Sequence, residues 1–173
     1  MTGPVPSTEE LSSPSTGWRA RAGWRDVVGL LSRLVVGGVL LVAGGLKLAD
    51  LTSAVQSVVA YQLFPYELAR FIGTTLPVVE VAVGLLLVLG LLTRPTAAAA
   101  GLLLLAFVLG IASAWARGLS IDCGCFGTGG PVAPEDTRYL SEILRDLGLL
   151  LLSGWLVVRP RTLFSVDEHL AKG

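Results

Sequence analysis

Residues 27–46 read VVGLLSRLVVGGVLLVAGGL, an apolar run broken by one charge, Arg33. Crossing the hydrocarbon core of a bilayer as a helix takes about 20 apolar residues, and this run supplies them. A secretory signal is the competing reading, but its apolar region covers only about 7–15 residues and ends at a small-residue cleavage site. The run is longer and has no Ala-x-Ala site, so it reads as an uncleaved first span. Ahead of it, Met1 to Gly17 is rich in Pro, Ser, Thr and Gly with almost no large apolar side chains. Such a segment cannot bury enough surface to fold. Trp18, Arg19, Arg21, Trp24 and Arg25 then set aromatic and cationic side chains at a membrane boundary. Residues 1–24 are therefore expected to form a disordered cytoplasmic tail.

The 173-residue chain as a whole is strongly apolar, with 53% hydrophobic residues, 15% charged residues and a mean hydropathy of +0.72. A soluble domain carries about 25% charge, so the lipid bilayer is the expected surrounding. The formal net charge is zero, and nothing suggests a nucleic-acid partner. Three further spans are expected near Thr75–Leu92, Pro95–Trp115 and Tyr139–Val158. Pro77 and Pro95 are placed in first turns, where a missing amide donor costs little. Between spans one and two, Asp50 is a plausible N-cap. Leu51, Val55, Val58, Val59 and Gln62 recur at helical spacing, and Pro65 interrupts before Tyr66–Ile72 resumes it. Two short interfacial helices are expected there. The fold class is all-α, a four-transmembrane-helix bundle over residues 25–160, with a cytoplasmic tail at 161–173.

Orientation follows from the bias of Lys and Arg toward the cytoplasm. With the N-terminus inside, Arg19, Arg21, Arg25, Arg94, Arg159, Arg161 and Lys172 lie on the inner side, seven cations against four outside (Lys47, Arg70, Arg117 and Arg138). The expected topology is N-in and C-in, in the plasma membrane. The segment from Ala116 to Arg138 then faces an oxidising, extracytoplasmic compartment.

That segment holds the only two cysteines of the chain, within Asp122-Cys123-Gly124-Cys125-Phe126-Gly127. A disulfide needs Cα atoms within about 7 Å, and Gly124, without a Cβ, permits the sharp bend an i,i+2 pair requires. So small a ring is strained, and strained, exposed disulfides exchange readily. A redox-active dithiol is the favoured reading. Structural zinc would need about four ligands, and the only histidine, His169, is expected across the membrane, so a metal site would require two chains. A static staple is the remaining alternative, although so short a ring restrains the unfolded chain little.

Charges inside expected spans form a second set. Lys47 ends span one, Glu80 lies near the outer end of span two, and Glu142, Arg145 and Asp146 lie in the outer half of span four. A charge near the bilayer centre costs roughly 2.5–3.5 kcal/mol on insertion scales, so these groups should face the bundle interior and pair. They are read either as a polar clamp or as proton carriers for the thiols, Glu80 or Asp146 moving the proton. Arg33 is read as snorkelling to the inner interface. Gly37, Gly38, Gly44, Gly45 and Gly84 should let helices approach closely, or admit a flat ring ligand such as a quinone. Trp115, Phe126 and Tyr139 are the aromatics that could line its pocket.

The first-span pattern Arg33-Leu34, Gly37, Gly44-Gly45-Leu46-Lys47-Leu48 resembles the opening of DoxX-like membrane proteins, as does Leu63-Phe64-Pro65 followed by Leu76-Pro77-Val78-Val79-Glu80. Cys123-Gly124-Cys125-Phe126-Gly127, followed by Arg145-Asp146, resembles the MauE branch, named after a methylamine-utilisation protein. The resemblance runs from Asp26 to Val158. It implies a four-helix membrane bundle that supports maturation of disulfide-containing proteins with an extracytoplasmic thioredoxin-like partner. It also implies a link to quinone reduction, since the bundle is similar to that of thiol-to-quinone reductases. The chain has no Cys-x-x-Cys and no second cysteine pair, so Cys123 and Cys125 would serve both partner and acceptor. The expected function is a thiol–disulfide oxidoreductase relay. In it a partner thiolate attacks the Cys123–Cys125 disulfide, with Arg117 or Arg138 favouring a thiolate nearby. The alternative is a non-catalytic subunit or assembly factor of a redox complex. A transporter is disfavoured, because the chain shows neither internal repeats nor paired broken helices.

Overall fold

The structure is a computed structural model and describes residues 24–122, 129–133 and 137–159. The expected tails lie outside the described residues, apart from Trp24, which begins the first helix; so do Cys123, Cys125 and Phe126.

Five helices account for nearly all of it: α1 (Trp24–Ala49), α2 (Leu51–Ala60), α3 (Tyr66–Leu89), α4 (Thr93–Ala116) and α5 (Tyr139–Val158). Three of them, α1, α3 and α4, are long and apolar enough to cross a membrane. Large apolar side chains such as Leu102, Phe71 and Leu151 stand exposed on the outer surface, an arrangement suited to lipid rather than water. The protein is all-α in its helices and multi-pass in character.

Why the helices start and stop where they do is read from their ends. Asp50 caps α2, its carboxylate accepting the Ser53 amide at 3.0 Å, as its sequence position predicts. Gly90 ends α3 with φ +70, and the bonds Gly90 N–H to Leu87 O and Leu91 N–H to Leu86 O close a Schellman motif. The α3–α4 turn is therefore Gly90–Leu92, and α4 begins at Thr93, two residues before Pro95. Proline is tolerated there because first-turn amides have no intrahelical acceptor.

One expectation fails in this region. Tyr66–Ile72 is not a separate interfacial helix. It is the beginning of α3, which runs unbroken through Pro77, so Pro77 lies mid-helix rather than in a first turn. Pro65 sits at the N-cap with an extended backbone and starts the helix instead of interrupting one. Pro77 removes the bond that Gly73 O would accept, a defect that membrane helices tolerate when neighbours pack against it. Pro77 is buried, and Gly73 lies against Val55 of α2.

The four long helices enclose one core. Val36 and Leu40 of α1, Val83 and Leu87 of α3, Ala97, Ala100 and Leu104 of α4, and Leu149 and Leu156 of α5 meet in a single cluster. The α1–α3 seam is close, because Gly37 and Gly84 face one another. A Cβ at Gly84 would lie 2.8 Å from Gly37 O, and one at Gly37 would lie 2.9 Å from Gly84 O. Gly38 and Gly45 take no part, since nothing lies within 4 Å of a Cβ built on either. Between α4 and α5, an unexpected antiparallel ladder pairs β1 (Ile121–Asp122) with β2 (Gly130–Pro131).

Candidate functional site

Lys47 and Glu80 come together because α1 and α3 come together. Gly44, one turn before Lys47, lies so near α3 that a Cβ there would be 2.9 Å from both Glu80 Cβ and Pro77 O. With the backbones this close, Lys47 Nζ donates to Glu80 Oε1 at 2.5 Å, the carboxylate side chain having no exposed surface. Glu80 Oε2 has no hydrogen-bond partner among the described residues. The ammonium also lies 5.0 Å from the centroid of the Phe107 ring on α4, within cation–π range. Three helices thus converge on one lysine.

Beside it, between α2, α3 and α4, is a cavity of about 440 Å³. Tyr61, Phe64 and Phe107 supply its aromatic surface, Leu76 and Pro77 part of its aliphatic wall, and Lys47 is its only charged lining residue among those described. Ligand pockets have this composition, mostly apolar with few polar groups, and span about 300–1,000 Å³. The aromatics differ from those expected: Trp115 and Tyr139 do not line it, and Phe126 lies outside the described residues. No local sequence signal marks Tyr61 or Phe107, because the cavity depends on how α2 folds back against α3 and α4.

Cys123 and Cys125 lie outside the described residues, but the chain on either side is well placed. Asp122 pairs with Gly130 and Ile121 with Pro131 in the ladder. Tyr139, the first residue of α5, accepts the Ile121 amide at 2.9 Å and donates to Leu119 O, so α5 fixes the approach to β1. On the other side, Gly129 has φ +62, and a Cβ there would collide with Ser57 on α2. Ser57 also lines the cavity. One serine therefore touches both the base of the cysteine segment and the apolar pocket.

Arg117 is not an unengaged cation: two backbone carbonyls hold it, while the cysteines it was expected to favour lie outside the described residues. Its Nη2 donates to Tyr61 O at the end of α2 and its Nε to Ser113 O at 3.1 Å, placing a cation at two helix C-termini. Arg33 is likewise not a snorkelling anchor. It is 2% exposed, donates to Val88 O at 3.4 Å and lies against Gly90, so it serves the carbonyl end of α3. Arg145 and Asp146 pair at 2.9 Å on α5, with Asp146 buried. Asp146 Oδ2 has no hydrogen-bond partner among the described residues. Four of the expected polar groups are thus seen in two ion pairs, Lys47–Glu80 at the cavity and Arg145–Asp146 on α5, with Glu142 one turn before Asp146 in the first turn of α5.

The family described as methylamine utilisation protein MauE matches residues 25–159, from the start of α1 to the end of α5. Methylamine utilization protein MauE of Paracoccus denitrificans is 40% identical over 94 residues, which cover 54% of this chain and 48% of that protein. The chain thus spans about half the length of that curated relative. No solved structure matches.

Proposed function

The chain belongs to the MauE family of membrane proteins, and from that premise we propose that it is a membrane thiol–disulfide relay. It exchanges electrons with an extracytoplasmic thioredoxin-like partner through Cys123 and Cys125 and passes them to a membrane acceptor. In this way it supports disulfide maturation of proteins used in methylamine utilisation, the process for which its relative is named.

The membrane frame of this reading has four spans with both termini in the cytoplasm of the plasma membrane, residues 1–24 and 161–173 forming the tails. The fourth span is α5. Its 20 residues make a helix of about 30 Å, the thickness of the hydrocarbon core. It shares the core with α1, α3 and α4, and carries Glu142, Arg145 and Asp146 in its first half. The cation bias supports an orientation with the ladder and the cysteines outside.

The chemistry balances with two cysteines. A partner thiolate attacks one sulfur of the Cys123–Cys125 disulfide, breaking the S–S bond, forming a mixed disulfide and releasing the other cysteine as thiolate. The partner's second thiol then attacks the mixed disulfide. The partner leaves oxidised, and two electrons with two protons remain on Cys123 and Cys125. Returning the pair to a disulfide transfers both to the membrane acceptor, for which quinone is the candidate class. Glu80, Lys47, Asp146 and Arg145 are the groups proposed to support proton movement at this end of the bundle.

The observation that carries this reading is Ser57, which contacts Gly129 beside the cysteine segment and lines the apolar cavity. Sulfur chemistry and a membrane-soluble acceptor would then be neighbours. The test is trapping with Cys123→Ser and Cys125→Ser in membranes. One of the two variants is expected to accumulate a reductant-sensitive mixed disulfide with a thioredoxin-fold protein. If neither traps a partner and both support full maturation, the chain is instead a non-catalytic assembly subunit.

A further inference from the structure

From the cavity and the ion pair at its edge, we infer that the space between α2, α3 and α4 binds an uncharged, lipid-soluble ring compound whose carbonyl oxygen accepts a hydrogen bond from Lys47. Naming that compound as the electron acceptor rests on the relay reading above; the binding itself needs neither cysteine.

Three features of the site select this class. The first is the route of entry. Leu63, Phe64 and Leu109 line the cavity and are 46%, 45% and 60% exposed on the outer surface, so its mouth opens sideways toward lipid. An occupant arrives from the bilayer and is itself largely apolar. The second is the lining. Tyr61, Phe64 and Phe107 present ring faces, and aromatic surfaces favour offset or edge-to-face packing with another ring.

The third feature is charge. Lys47 has three N–H donors, one of which is used on Glu80 Oε1, while its ammonium lies beside Phe107 at the cavity wall. Its positive charge is already matched by a fully buried carboxylate. A carboxylate or phosphate bound here would add a second buried anion without a second cation, which is unfavourable. A neutral carbonyl oxygen needs only the donor. Where the ligand is a ring 1,4-dicarbonyl, the Cys123/Cys125 dithiol supplies two electrons and two protons. The dicarbonyl then becomes the 1,4-diol and the S–S bond re-forms.

Gly110 provides a test that leaves the ion pair intact. It lines the cavity from α4, and a Cβ there would lie 3.6 Å from the Tyr61 ring, an ordinary contact. Gly110→Leu therefore fits the helix and fills the cavity. Equilibrium binding of 2-methyl-1,4-naphthoquinone to the full chain in lipid nanodiscs should be saturable. It should weaken about tenfold or more in Gly110→Leu, equivalent to about 1.4 kcal/mol, with helical content unchanged by circular dichroism. Lys47→Met should weaken it similarly and Lys47→Arg should retain most of it, whereas Cys123→Ser/Cys125→Ser should bind as the parent does. Absence of saturable binding overturns the inference. So does unaltered binding by Gly110→Leu, or equal competition by dodecanoate, which would identify the cavity as an acyl-chain groove. Naphthoquinone binding without any trapped protein partner would remove the relay and leave this site standing; trapping without binding would do the reverse.

Discussion

Lys47 holds its ammonium against a carboxylate that no solvent reaches, so removing either partner leaves the other charged and buried. Breaking such a pair costs about 3–5 kcal/mol, whereas replacing both members with apolar groups is often nearly neutral. Lys47→Met is therefore expected to lower stability in detergent by that order. Lys47→Met/Glu80→Leu should recover most of the loss in thermal unfolding, and an unrecovered double variant would show that the charges themselves are required. A second residue-scale outcome concerns Tyr139. Tyr139→Phe deletes the hydroxyl that joins Leu119 O and the Ile121 amide, and a buried group left unsatisfied costs about 1–3 kcal/mol. Hydrogen exchange should accelerate at Leu119–Asp122 and stay unchanged in α3. At this scale the sequence showed which charges needed partners, because lipid makes an unpaired charge costly. It did not show that Arg33 turns inward, since snorkelling and capping demand the same residue. The choice was made by the bare carbonyls of α3 around Gly90.

Elements carry a sharper contrast between glycines that look alike. Gly84 abuts Gly37 O at a distance no side chain tolerates, while Gly38 faces open space. Gly84→Val should wedge α1 from α3 and cost about 1–3 kcal/mol through overpacking. Gly38→Ala should be neutral or stabilising by up to about 1 kcal/mol through helix propensity. Unfolding midpoints of the two variants check both statements. Hydropathy located α1, α4 and α5 to within a few residues, and Asp50 announced α2. The merging of Tyr66–Ile72 into α3 was hidden, because Pro77 reads locally as a helix start. Only the packing of Gly73 on α2 and of Pro77 beneath Gly44 makes a mid-helix proline acceptable. The cavity and the short ladder were equally hidden, both arising from contacts between distant segments.

On the scale of the whole molecule, four long helices share one core while α2 and the ladder close one end of it. That end holds Lys47, the cavity and the chain flanking the cysteines. In the proposed orientation, a cysteine introduced as Leu91→Cys in the α3–α4 turn of a Cys123→Ser/Cys125→Ser background should label only after the inner face is opened. The native pair should label from outside after reduction; the opposite pattern would invert the bundle. The central claim is that Cys123 and Cys125 interconvert between dithiol and disulfide as part of the protein's work. Differential alkylation of acid-quenched cells measures this directly, counting reduced and oxidised pairs before and after a brief pulse of membrane-permeant reductant. The account predicts that both forms are present in growing cells and that the pulsed population returns to its starting ratio once reductant is withdrawn. A pair found wholly in one state, or one that never regains its ratio, would contradict it.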